Sequence, residues 1–589
     1  MSRSPAALAL LTVAASFAPA VALPAPPHAA TGREFMVAAA HPLASQAGSE
    51  ILAKGGNVVD AAVATSFAIS VVRPQSSGIG GGGFMVIHLV DRGSFALDFR
   101  ETAPAAAQAR DYLDADGAVI PMRSTTGAWS VAVPGHVRGM QAALDRLGTM
   151  TLAEVLEPAI RLAREGFAAD AILSNSIADA AERIDRYVAI HPDETGEFEA
   201  FRATYLPKGR PPREGEILTQ PAQASTLETL ARDGSDSFYE GSIAKAILAA
   251  IADGGGPMTA EDLAAYRPKW RQPLSAELAG RFAGDSKRTV ISMPPPSSGG
   301  ACLLQALLAL DGLPRLSDPE ASRRQIEALR HAFADRAALL GDADASPEVS
   351  ADLLRMLEAA HLERLRAAIV LPPRAKPHRC GLGGLAGDGA GSKSVPEDGG
   401  TSHFCVIDAA GNAVACTDTV NLGFGSLVVP PGAGFVLNDQ MDDFAVRTDV
   451  ANEFGLFMSE RNLLAGGRRP LSSMTPTIVV EDGKAVFVAG AAGGPRIISA
   501  TLAVLLAMLD GASAAEAVAA PRVHHQWMPD ELLVERGVLP SLRELLTLAG
   551  HAVREEPGAI AVAQAARRTP DGSVEGASDP RGAGLPAGR

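Results

Sequence analysis

The spacing of hydrophobic residues predicts a helix-rich first part of the chain and a strand-rich second part. Before residue 372, apolar residues recur mostly at the helical period, which predicts helices within residues 46–72, 126–148, 151–270, 301–310 and 320–370. Two strands, at 84–88 and 95–99, interrupt this part. From residue 401 the pattern alternates as in half-buried strands, which predicts strands at 403–408, 413–420, 434–437, 477–480 and 485–489 and a helix at 497–509.

Polar and glycine residues mark where these elements begin. Gly55-Gly56-Asn57 forms a turn, and Asp60 is placed to open the next helix. Thr151 and Glu154 have the spacing of a capping box. The glycines at 80–83 precede a strand and lack the lysine of a phosphate loop, so they predict close backbone packing rather than a nucleotide site.

Residues 372–400 show neither pattern. The stretch is rich in glycine, proline, serine, lysine and aspartate, which is typical of a flexible linker. On composition alone, a plain linker between two domains is the simplest interpretation. It ends at Gly399-Gly400-Thr401, where the alternating pattern begins.

Composition narrows the class of protein. A length of 589 residues predicts two or three domains or one large layered structure. With 47% hydrophobic and 20% charged residues, the chain is expected to be globular with a substantial core. The net charge of -15 and the lack of a basic stripe argue against nucleic acid or an anionic membrane as a partner.

The first residues have the organisation of a secretory signal. Arg3 supplies a positive charge, the stretch 6–17 is apolar, and small residues around Ala20 and Ala22 suit a signal peptidase. We therefore expect a signal peptide at residues 1–22 and a periplasmic or secreted protein, with a disordered cytoplasmic tail as the alternative. No later run of 18 uncharged apolar residues occurs, so no stable membrane insertion is expected.

The cysteines do not predict a metal site. Cys302, Cys380, Cys405 and Cys416 have neither CxxC nor Cys/His ligand spacing, so no metal or other cofactor is expected. Cys405 and Cys416 flank a predicted hairpin turn. They are either a disulfide or two small buried thiols.

Motifs from both parts of the chain together resemble the γ-glutamyltranspeptidase family. They span roughly residues 35–582, and their order and completeness carry the resemblance, because any single motif is weak. The motifs lie at residues 55–63, 77–84, 98–101 (Asp-Phe-Arg-Glu), 133–135, 294–300, 401–404 (Thr-Ser-His-Phe), 411–414, 438–444, 469–477, 493–494, 521–527 and 576–581.

The resemblance implies an N-terminal nucleophile hydrolase with an α+β fold, a four-layer αββα sandwich. The precursor of that family cuts itself, so residues 372–400 become a flexible precursor segment rather than a plain linker. The implied products are a large subunit, residues 23–400, and a small catalytic subunit, residues 401–589, associated as a heterodimer. The implied activity transfers the γ-glutamyl group of glutathione and related amides to water or to an acceptor amino acid or peptide.

The resemblance places catalysis at the cut between Gly400 and Thr401. As an N-terminal residue, Thr401 would carry both a nucleophilic hydroxyl and an α-amine that acts as its base. Thr419 matches the threonine that bonds the nucleophile, although a lone threonine is also common in strands. Gly493-Gly494 match an oxyanion hole, although two glycines also fit a plain turn.

The substrate's glutamyl head carries both a carboxylate and an ammonium group, and the resemblance assigns residues to each. The carboxylate pocket comprises Arg100, Ser472 and Ser473, and the ammonium pocket comprises Asn421, Gln440 and Asp443. An arginine fork suits a carboxylate. Asp443 favours glutamyl over glutaryl substrates, because only the former has an ammonium group, although an exposed Asp-Asp pair is also common in solvated loops.

The resemblance also predicts a lid over the site. Residues 445–468 are long enough to form the lid loop of many bacterial relatives, with Phe454 where an aromatic gate would sit. The chain departs from the family at Ser402, where threonine is usual, and at Asp418, which puts a charge beside Thr419. Asp418 is expected to point away from Thr419 if both lie on one strand.

Two other functions stay open at this point. One is a cephalosporin-acylase-like amide hydrolase of the same fold, acting on glutaryl groups. The other is an unprocessed, inactive relative that only binds peptides. The first would still cut itself at Thr401, whereas the second would remain one chain.

Overall fold

A computed structural model describes residues 28–193, 196–284, 286–314, 320–370, 379–382, 385–386, 400–538 and 540–589. The predicted signal peptide at 1–22 and most of the predicted precursor segment at 372–400 lie outside the described residues. Within these ranges, no helix is both long enough and apolar enough to span a bilayer.

The β-strands are numbered in chain order. They are β1 Ala29–Gly32, β2 Phe35–Ala39, β3 Gly82–Leu89, β4 Gly93–Asp98, β5 Phe167–Ala168, β6 Ile217–Leu218, β7 Lys269–Arg271, β8 Leu274–Leu278, β9 Arg288–Ser292, β10 Arg379–Cys380, β11 Leu385–Ala386, β12 Thr401–Asp408, β13 Ala413–Thr419, β14 Thr477–Glu481, β15 Lys484–Ala492, β16 Val523–His524, β17 Leu532–Glu535, β18 Val553–Glu556, β19 Val562–Arg568, β20 Val574–Ser578 and β21 Ala587–Gly588.

The α-helices are numbered in the same way. They are α1 Pro42–Ala53, α2 Val58–Val72, α3 His136–Leu147, α4 Leu152–Glu165, α5 Ala171–Ile190, α6 Glu199–Tyr205, α7 Pro221–Asp233, α8 Asp236–Tyr239, α9 Ser242–Asp253, α10 Ala260–Ala265, α11 Gly299–Asp311, α12 Glu320–Leu339, α13 Glu348–Leu357, α14 Ala359–Val370, α15 Arg496–Leu509, α16 Ala514–Ala519 and α17 Pro540–Leu548.

Two antiparallel seven-stranded sheets lie at the centre of the described structure. Sheet I has the order β21-β2-β12-β13-β3-β4-β7, and sheet II has the order β1-β20-β19-β15-β14-β9-β8. Strands β12 and β13 face β15 and β19 across the space between the sheets. Helices α1, α2 and α3 pack on sheet I, and α11, α15 and α16 pack on sheet II. This arrangement confirms the predicted four-layer αββα sandwich.

Strands from before and after residue 400 alternate within both sheets. In sheet I, β2 lies between β21 and β12, and in sheet II, β14 pairs with β9. The hydrophobic pattern does not predict β2, β7, β8 or β9. The reason is that all four are short: β2 is a run of five apolar residues, which periodicity does not distinguish from a buried helix segment, β9 also has only five residues, and β7 and β8 lie at sheet edges.

The predicted boundaries need two corrections. Asn57, not Asp60, caps α2, and Asp60 closes the capping box from the third helical position. The predicted strand at 434–437 is wrong: Leu437 forms only an isolated bridge with Gly80. Gly434 has a φ of +76°, a left-handed conformation that ends extended structure there. The capping box of Thr151 on α4 is confirmed.

The glycine run before β3 allows close backbone packing, as predicted. A Cβ on Gly81 would lie 2.0 Å from the carbonyl oxygen of Thr419, and one on Gly83 would lie 2.2 Å from that of Thr417. The carbonyl oxygen of Gly81 also accepts the backbone N–H of His136 at 3.0 Å. These glycines therefore bring the end of β13 against the start of α3.

The cysteines remain thiols. All four are buried and free. Cys405 pairs with Ala415 across β12 and β13, so Cys416 lies on the opposite face of the sheet, and the two sulfur atoms do not form a disulfide. Burial raises the pKa of both thiols well above the ordinary value. The interpretation as small buried thiols is confirmed.

Candidate active site

Thr401 and Thr419 face each other at one end of sheet I. Thr401 is the first residue of β12, Thr419 is the last residue of β13, and the two are paired in the strand register. Their hydroxyl oxygens are 2.9 Å apart, and both side chains are buried. The hairpin turn at Gly411-Asn412 sets this register, so strand pairing brings together two residues that lie 18 positions apart.

The hydroxyl of Thr419 also contacts the peptide bond before Thr401. It donates to the carbonyl oxygen of Gly400 at 3.0 Å and accepts the backbone N–H of Asn421 at 2.9 Å. Because a hydroxyl has one proton, Thr401 must donate to Thr419. The backbone N–H of Val420 also donates to the Gly400 carbonyl, at 2.9 Å. Two donors therefore polarise the carbonyl that the Thr401 hydroxyl would attack.

Gly400 itself has a conformation that favours glycine. Its φ is +53°, and a Cβ there would lie 2.1 Å from the carbonyl oxygen of Leu422. Any larger residue would strain this turn. The tight turn therefore presents the Gly400 carbonyl to the two donors.

Gly493 and Gly494 connect β15 to α15 beside the threonine pair. Both have positive φ, +133° and +56°. They lie just before the first turn of α15, where backbone N–H groups have no partner within the helix. A Cβ on Gly494 would lie 2.7 Å from the ring of Phe454. Gly494 lines the same pocket as Thr401, and Gly493 lines an adjoining cavity with Thr401.

One pocket collects almost all of the predicted site residues. Its predicted lining residues are Arg100, Thr401, Thr419, Asn421, Gln440, Asp443, Phe454, Ser472, Ser473 and Gly494. Leu456, Met474, Pro495 and Ile497 also line it and were not predicted from sequence. They are ordinary apolar residues or a proline, and nothing in their spacing distinguishes them from core positions.

The predicted carboxylate and ammonium pockets meet at an ion pair. Arg100, which is fully buried, donates from Nη2 to Asp443, and its Nε donates to the carbonyl oxygen of Pro470 at 3.2 Å. Gln440 donates to Asp443 at 2.7 Å. Nη1 of Arg100 has no hydrogen-bond partner, although it lies 3.6 Å from the buried carboxylate of Glu101. A cation with a free donor beside an anion suits a ligand that carries both charges.

The serines of the carboxylate pocket are held from behind. The hydroxyl of Ser472 accepts the backbone N–H of Met474 at 3.1 Å. The hydroxyl of Ser473 accepts Nη2 of Arg336 at 3.4 Å, and Nε of Arg336 donates to Ser298 at 2.9 Å. Arg336, buried in α12, was not predicted, because its helix spacing resembles that of an ordinary charged surface position.

The segment predicted as a lid contributes Phe454 and Leu456 to the pocket lining. Phe454 is buried, and its carbonyl oxygen accepts Nε2 of Gln526 at 3.1 Å. Asn452 accepts the backbone N–H of Phe454 and of Leu456 with its side-chain oxygen, at 3.1 Å each. This turn holds the aromatic ring against Gly494. Whether the segment opens as a gate stays a prediction.

Asp418 points away from the pocket, as predicted. Its carboxylate accepts the hydroxyl of Ser66 in α2 at 2.5 Å, on the helix side of sheet I. Burial raises the pKa of Asp418 to about 6. No group of three or more metal-ligating side chains occurs among the described residues.

Comparisons with known proteins agree with this geometry. The family model described as Gamma-glutamyltranspeptidase matches residues 44–588. A glutathione hydrolase proenzyme of Escherichia coli strain K12 is 38% identical over 593 residues, covering 98% of this chain and 97% of the relative. Two solved structures are also similar. A cephalosporin acylase from Bacillus halodurans has a TM-score of 0.81 and 26% identity over 98% of this chain and 99% of its own. A γ-glutamyltranspeptidase chain of Helicobacter pylori has a TM-score of 0.51 and 36% identity over 57% of this chain and 92% of its own.

Proposed function

Since this chain belongs to the γ-glutamyltranspeptidase family, we propose that it hydrolyses glutathione and other γ-glutamyl amides and transfers the γ-glutamyl group to acceptor amino acids or peptides. The observation that carries the proposal is the placement of the Thr401–Thr419 pair in one pocket with Arg100 and Asp443. A nucleophile, a cation and an anion converge there, which matches the groups of a γ-glutamyl substrate.

Self-cleavage precedes this activity in the proposed mechanism. The Thr401 hydroxyl oxygen attacks the carbonyl carbon of Gly400, and its proton passes to the peptide nitrogen as the C–N bond breaks. The Thr419 hydroxyl and the Val420 N–H stabilise the developing oxyanion. Water then hydrolyses the resulting ester, which leaves a Gly400 carboxylate and a free Thr401 with both amine and hydroxyl.

The released amine then serves catalysis. An α-amine has a reference pKa of about 7.7–8.0, so it can accept the hydroxyl proton near neutral pH. Thr401 attacks the γ-carbonyl carbon of the donor, the leaving amine takes a proton, and a γ-glutamyl ester forms on Thr401. Backbone N–H groups at Gly493 and Gly494 stabilise the oxyanion, a contribution commonly worth about 3–4 kcal/mol. Water or an acceptor amine releases the glutamyl group.

Recognition of the donor uses the ion pair already present. In the proposal, the substrate carboxylate binds Arg100 and the serines Ser472 and Ser473, and its ammonium group binds Asp443, Asn421 and Gln440. Nη1 of Arg100 lies 3.6 Å from Glu101 but has no hydrogen-bond partner, so it keeps a donor for the substrate carboxylate, which supports the first half of this assignment. The hydrogen bond from Gln440 to Asp443 holds the carboxylate in place for the second half.

The acceptor, the subunits and the location belong to the same proposal. We infer a heterodimer of residues 23–400 and 401–589, exported with the aid of the segment 1–22. Acceptors would be amino acids or peptides with a free amine. The interleaving of strands from both parts supports continued association after the cut.

A cephalosporin-acylase-like activity is the second candidate, because a solved acylase shares the fold over nearly the whole chain. Hydrolysis of γ-glutamyl and glutaryl anilides separates the two. We expect the parent to prefer the γ-glutamyl anilide. Asp443→Asn should lower kcat/KM for that anilide roughly 10- to 150-fold, since a hydrogen bond to a charged group contributes about 1.5–3 kcal/mol. Asp442→Asn is the matched control, because Asp442 bonds Ser124 and the lid backbone instead. Faster glutaryl cleavage by the parent would contradict the proposal.

A further inference from the structure

A buried polar cluster lies on the helix side of β13, behind the pocket. The Ser66 hydroxyl in α2 donates to Oδ2 of Asp418 at 2.5 Å, and the Cys416 thiol donates to Oδ1 at 3.2 Å. Nε2 of His136, at the start of α3, is 2.7 Å from the Ser66 hydroxyl and 3.8 Å from Asp418. All four side chains are buried. The cluster therefore joins two helices to one strand.

A second set of hydrogen bonds holds the neighbouring strand, β12, on the same face of sheet I. Ser402 in β12 lies opposite Asp418 in the strand register. Its hydroxyl is 2.8 Å from that of Ser76, which accepts Nε of Arg73 at 3.1 Å. Both strands are thus fixed to α2 and the turn after it, directly behind the threonine pair.

Strand alternation connects this cluster to the reaction. Successive side chains point to opposite faces of a sheet, so Asp418 faces the helices while Thr419 faces the pocket. Anchoring Asp418 fixes the backbone that carries the Thr419 hydroxyl, 2.9 Å from that of Thr401. A shift of about 1 Å in such a contact can cost about 100-fold in rate.

Asp418 is not explained by stability. Burial raises its pKa to about 6, against the hydrogen bonds from Ser66 and Cys416, which lower it. Burial also lowers the pKa of His136 to about 3, so this ring is neutral near pH 7. No lysine or arginine of the described chain forms an ion pair with Asp418. A buried carboxylate without a cation destabilises a fold.

We propose that Asp418 is a positioning residue, whose ionised carboxylate, bonded by Ser66 and Cys416, holds Thr419 in register with Thr401. The inference rests on the proposed function, because it needs a reaction at Thr401. Protonation of Asp418 removes one hydrogen-bond acceptor from the cluster, so Thr419 is held less firmly at low pH. The groups that face Asp418 are Ser66 from α2, His136 from α3, Cys416 from β13 and Ser402 from β12, with Gly83 of β3 contributing no side chain.

The first test compares activity with stability in Asp418→Asn. We expect kcat for a γ-glutamyl anilide to fall about tenfold with KM changed less than twofold. The Tm of the variant minus that of the parent should rise between pH 5 and pH 8. The reason is that ionisation of Asp418 destabilises the folded parent as pH increases, whereas the variant has no carboxyl at this position. An unchanged kcat would contradict the proposal, as would a Tm difference that falls over this pH range.

Val414→Ala is the matched control. Val414 lies on β13 on the same face as Asp418, within the apolar core, and has no polar contact to lose. Its truncation should lower Tm while leaving kcat within twofold. A parallel loss of kcat in this variant would mean that activity merely follows stability, which would overturn the positioning role.

The second test uses the pH dependence of self-cleavage in full-length chain made by cell-free synthesis. Before cleavage the nitrogen of Thr401 is an amide and does not titrate, so the α-amine adds nothing to the profile. The parent's rate should fall below about pH 6, and Asp418→Asn should lack this inflection. Ser66→Ala removes a hydrogen bond that lowers the pKa of Asp418, so its inflection should move to higher pH. Identical profiles in all three proteins would overturn the inference.

Failure of the inference is distinguishable from failure of the proposed function. A parent chain that neither cuts itself nor hydrolyses a γ-glutamyl anilide contradicts both. A fully active parent with an equally active Asp418→Asn variant contradicts only the positioning role.

Discussion

Every hydrogen-bonding site of the Thr419 hydroxyl is used. Its proton goes to the carbonyl oxygen of Gly400, and its lone pairs accept the Thr401 hydroxyl and the Asn421 N–H. A valine of the same shape would leave these partners unmatched. The side chain therefore acts as a junction between the nucleophile and the bond that the nucleophile must cut.

Gly400 supports a prediction at this scale. Gly400→Ala adds a Cβ 2.1 Å from the Leu422 carbonyl oxygen at a φ of +53°. Self-cleavage should slow at least tenfold, measured by the appearance of two chains over time on a denaturing gel. Gly423→Ala is the control, because a Cβ there meets nothing within 4 Å. Equal cleavage rates in both variants would show that the turn at Gly400 is not required.

Sequence indicates the site residues better than it indicates their contacts. The family motifs point to Thr401, Arg100 and Asp443, and the structure brings all three into one pocket. The ion pair between Arg100 and Asp443 does not follow from the motifs, because each motif matches its residue to a substrate charge and does not give the distance between the two. Arg336 was missed because nothing in α12 distinguishes its inward-facing position from a solvated one.

At the scale of elements, the lid combines a turn at Asn452 with an aromatic ring packed on Gly494. Phe454→Ala removes the ring, so water should reach the acyl-enzyme more easily. The ratio of hydrolysis to transfer should rise two- to fivefold with an amino-acid acceptor, measured by product analysis. Phe457→Ala, in the same segment but outside the pocket lining, should leave the ratio unchanged. An unchanged ratio in Phe454→Ala would contradict a shielding role.

Local signals predict helix caps and most of the longer central strands, but they miss short apolar runs. The capping box of α4 and the position of β13 are predicted correctly, although β13 is buried on both faces rather than half-buried. Strand β2 is a run of only five apolar residues, and periodicity alone does not distinguish such a run from a buried helix segment. The apolar run at 434–437 lies in a loop that packs into the core. Apolar content alone does not distinguish a strand from such a buried loop.

For the whole molecule, the interleaved strands predict that the two expected subunits separate only when the fold is lost. Strand β2 would belong to one subunit and both of its neighbours, β21 and β12, to the other. After cleavage, both chains should therefore elute as one species in size-exclusion chromatography at neutral pH and separate only in denaturant. Elution of the 401–589 chain alone under native conditions would contradict this arrangement.

Buried titratable groups predict lower stability in acid. Burial lowers the pKa of the histidines His41, His88, His136, His403, His524, His525 and His551 below 6.5. These histidines bind protons more readily in the unfolded chain than in the folded one. Their contribution to the free energy of unfolding is therefore complete above pH 6.5 and is lost as pH falls below it. Burial raises the pKa of four carboxyl groups, so their protonation favours the folded state as pH falls. They belong to Glu101, Asp418, Asp439 and Asp442.

Since the histidines outnumber these carboxyls, the urea midpoint of unfolding should be lower at pH 5 than at pH 7. The midpoint is measured by circular dichroism at both values on the processed protein. A higher midpoint at pH 5 would mean that the buried carboxyls dominate the pH dependence of stability.

The overall architecture follows from sequence only through resemblance. Hydrophobic spacing indicates a helix-rich part and a strand-rich part, which alone suggests two domains. Strand pairing between distant segments, such as β2 with β12 and β9 with β14, merges them into two shared sheets. Such pairings depend on long-range contacts that no local pattern encodes.

The most direct test of the central claim is the intact mass of the purified protein under denaturing conditions, with N-terminal sequencing. The parent should give two chains, one of them beginning at Thr401, and Thr401→Ala should give a single uncut chain without activity. A parent that remains one chain yet hydrolyses γ-glutamyl anilide, or a cut at any bond other than Gly400–Thr401, would contradict the account.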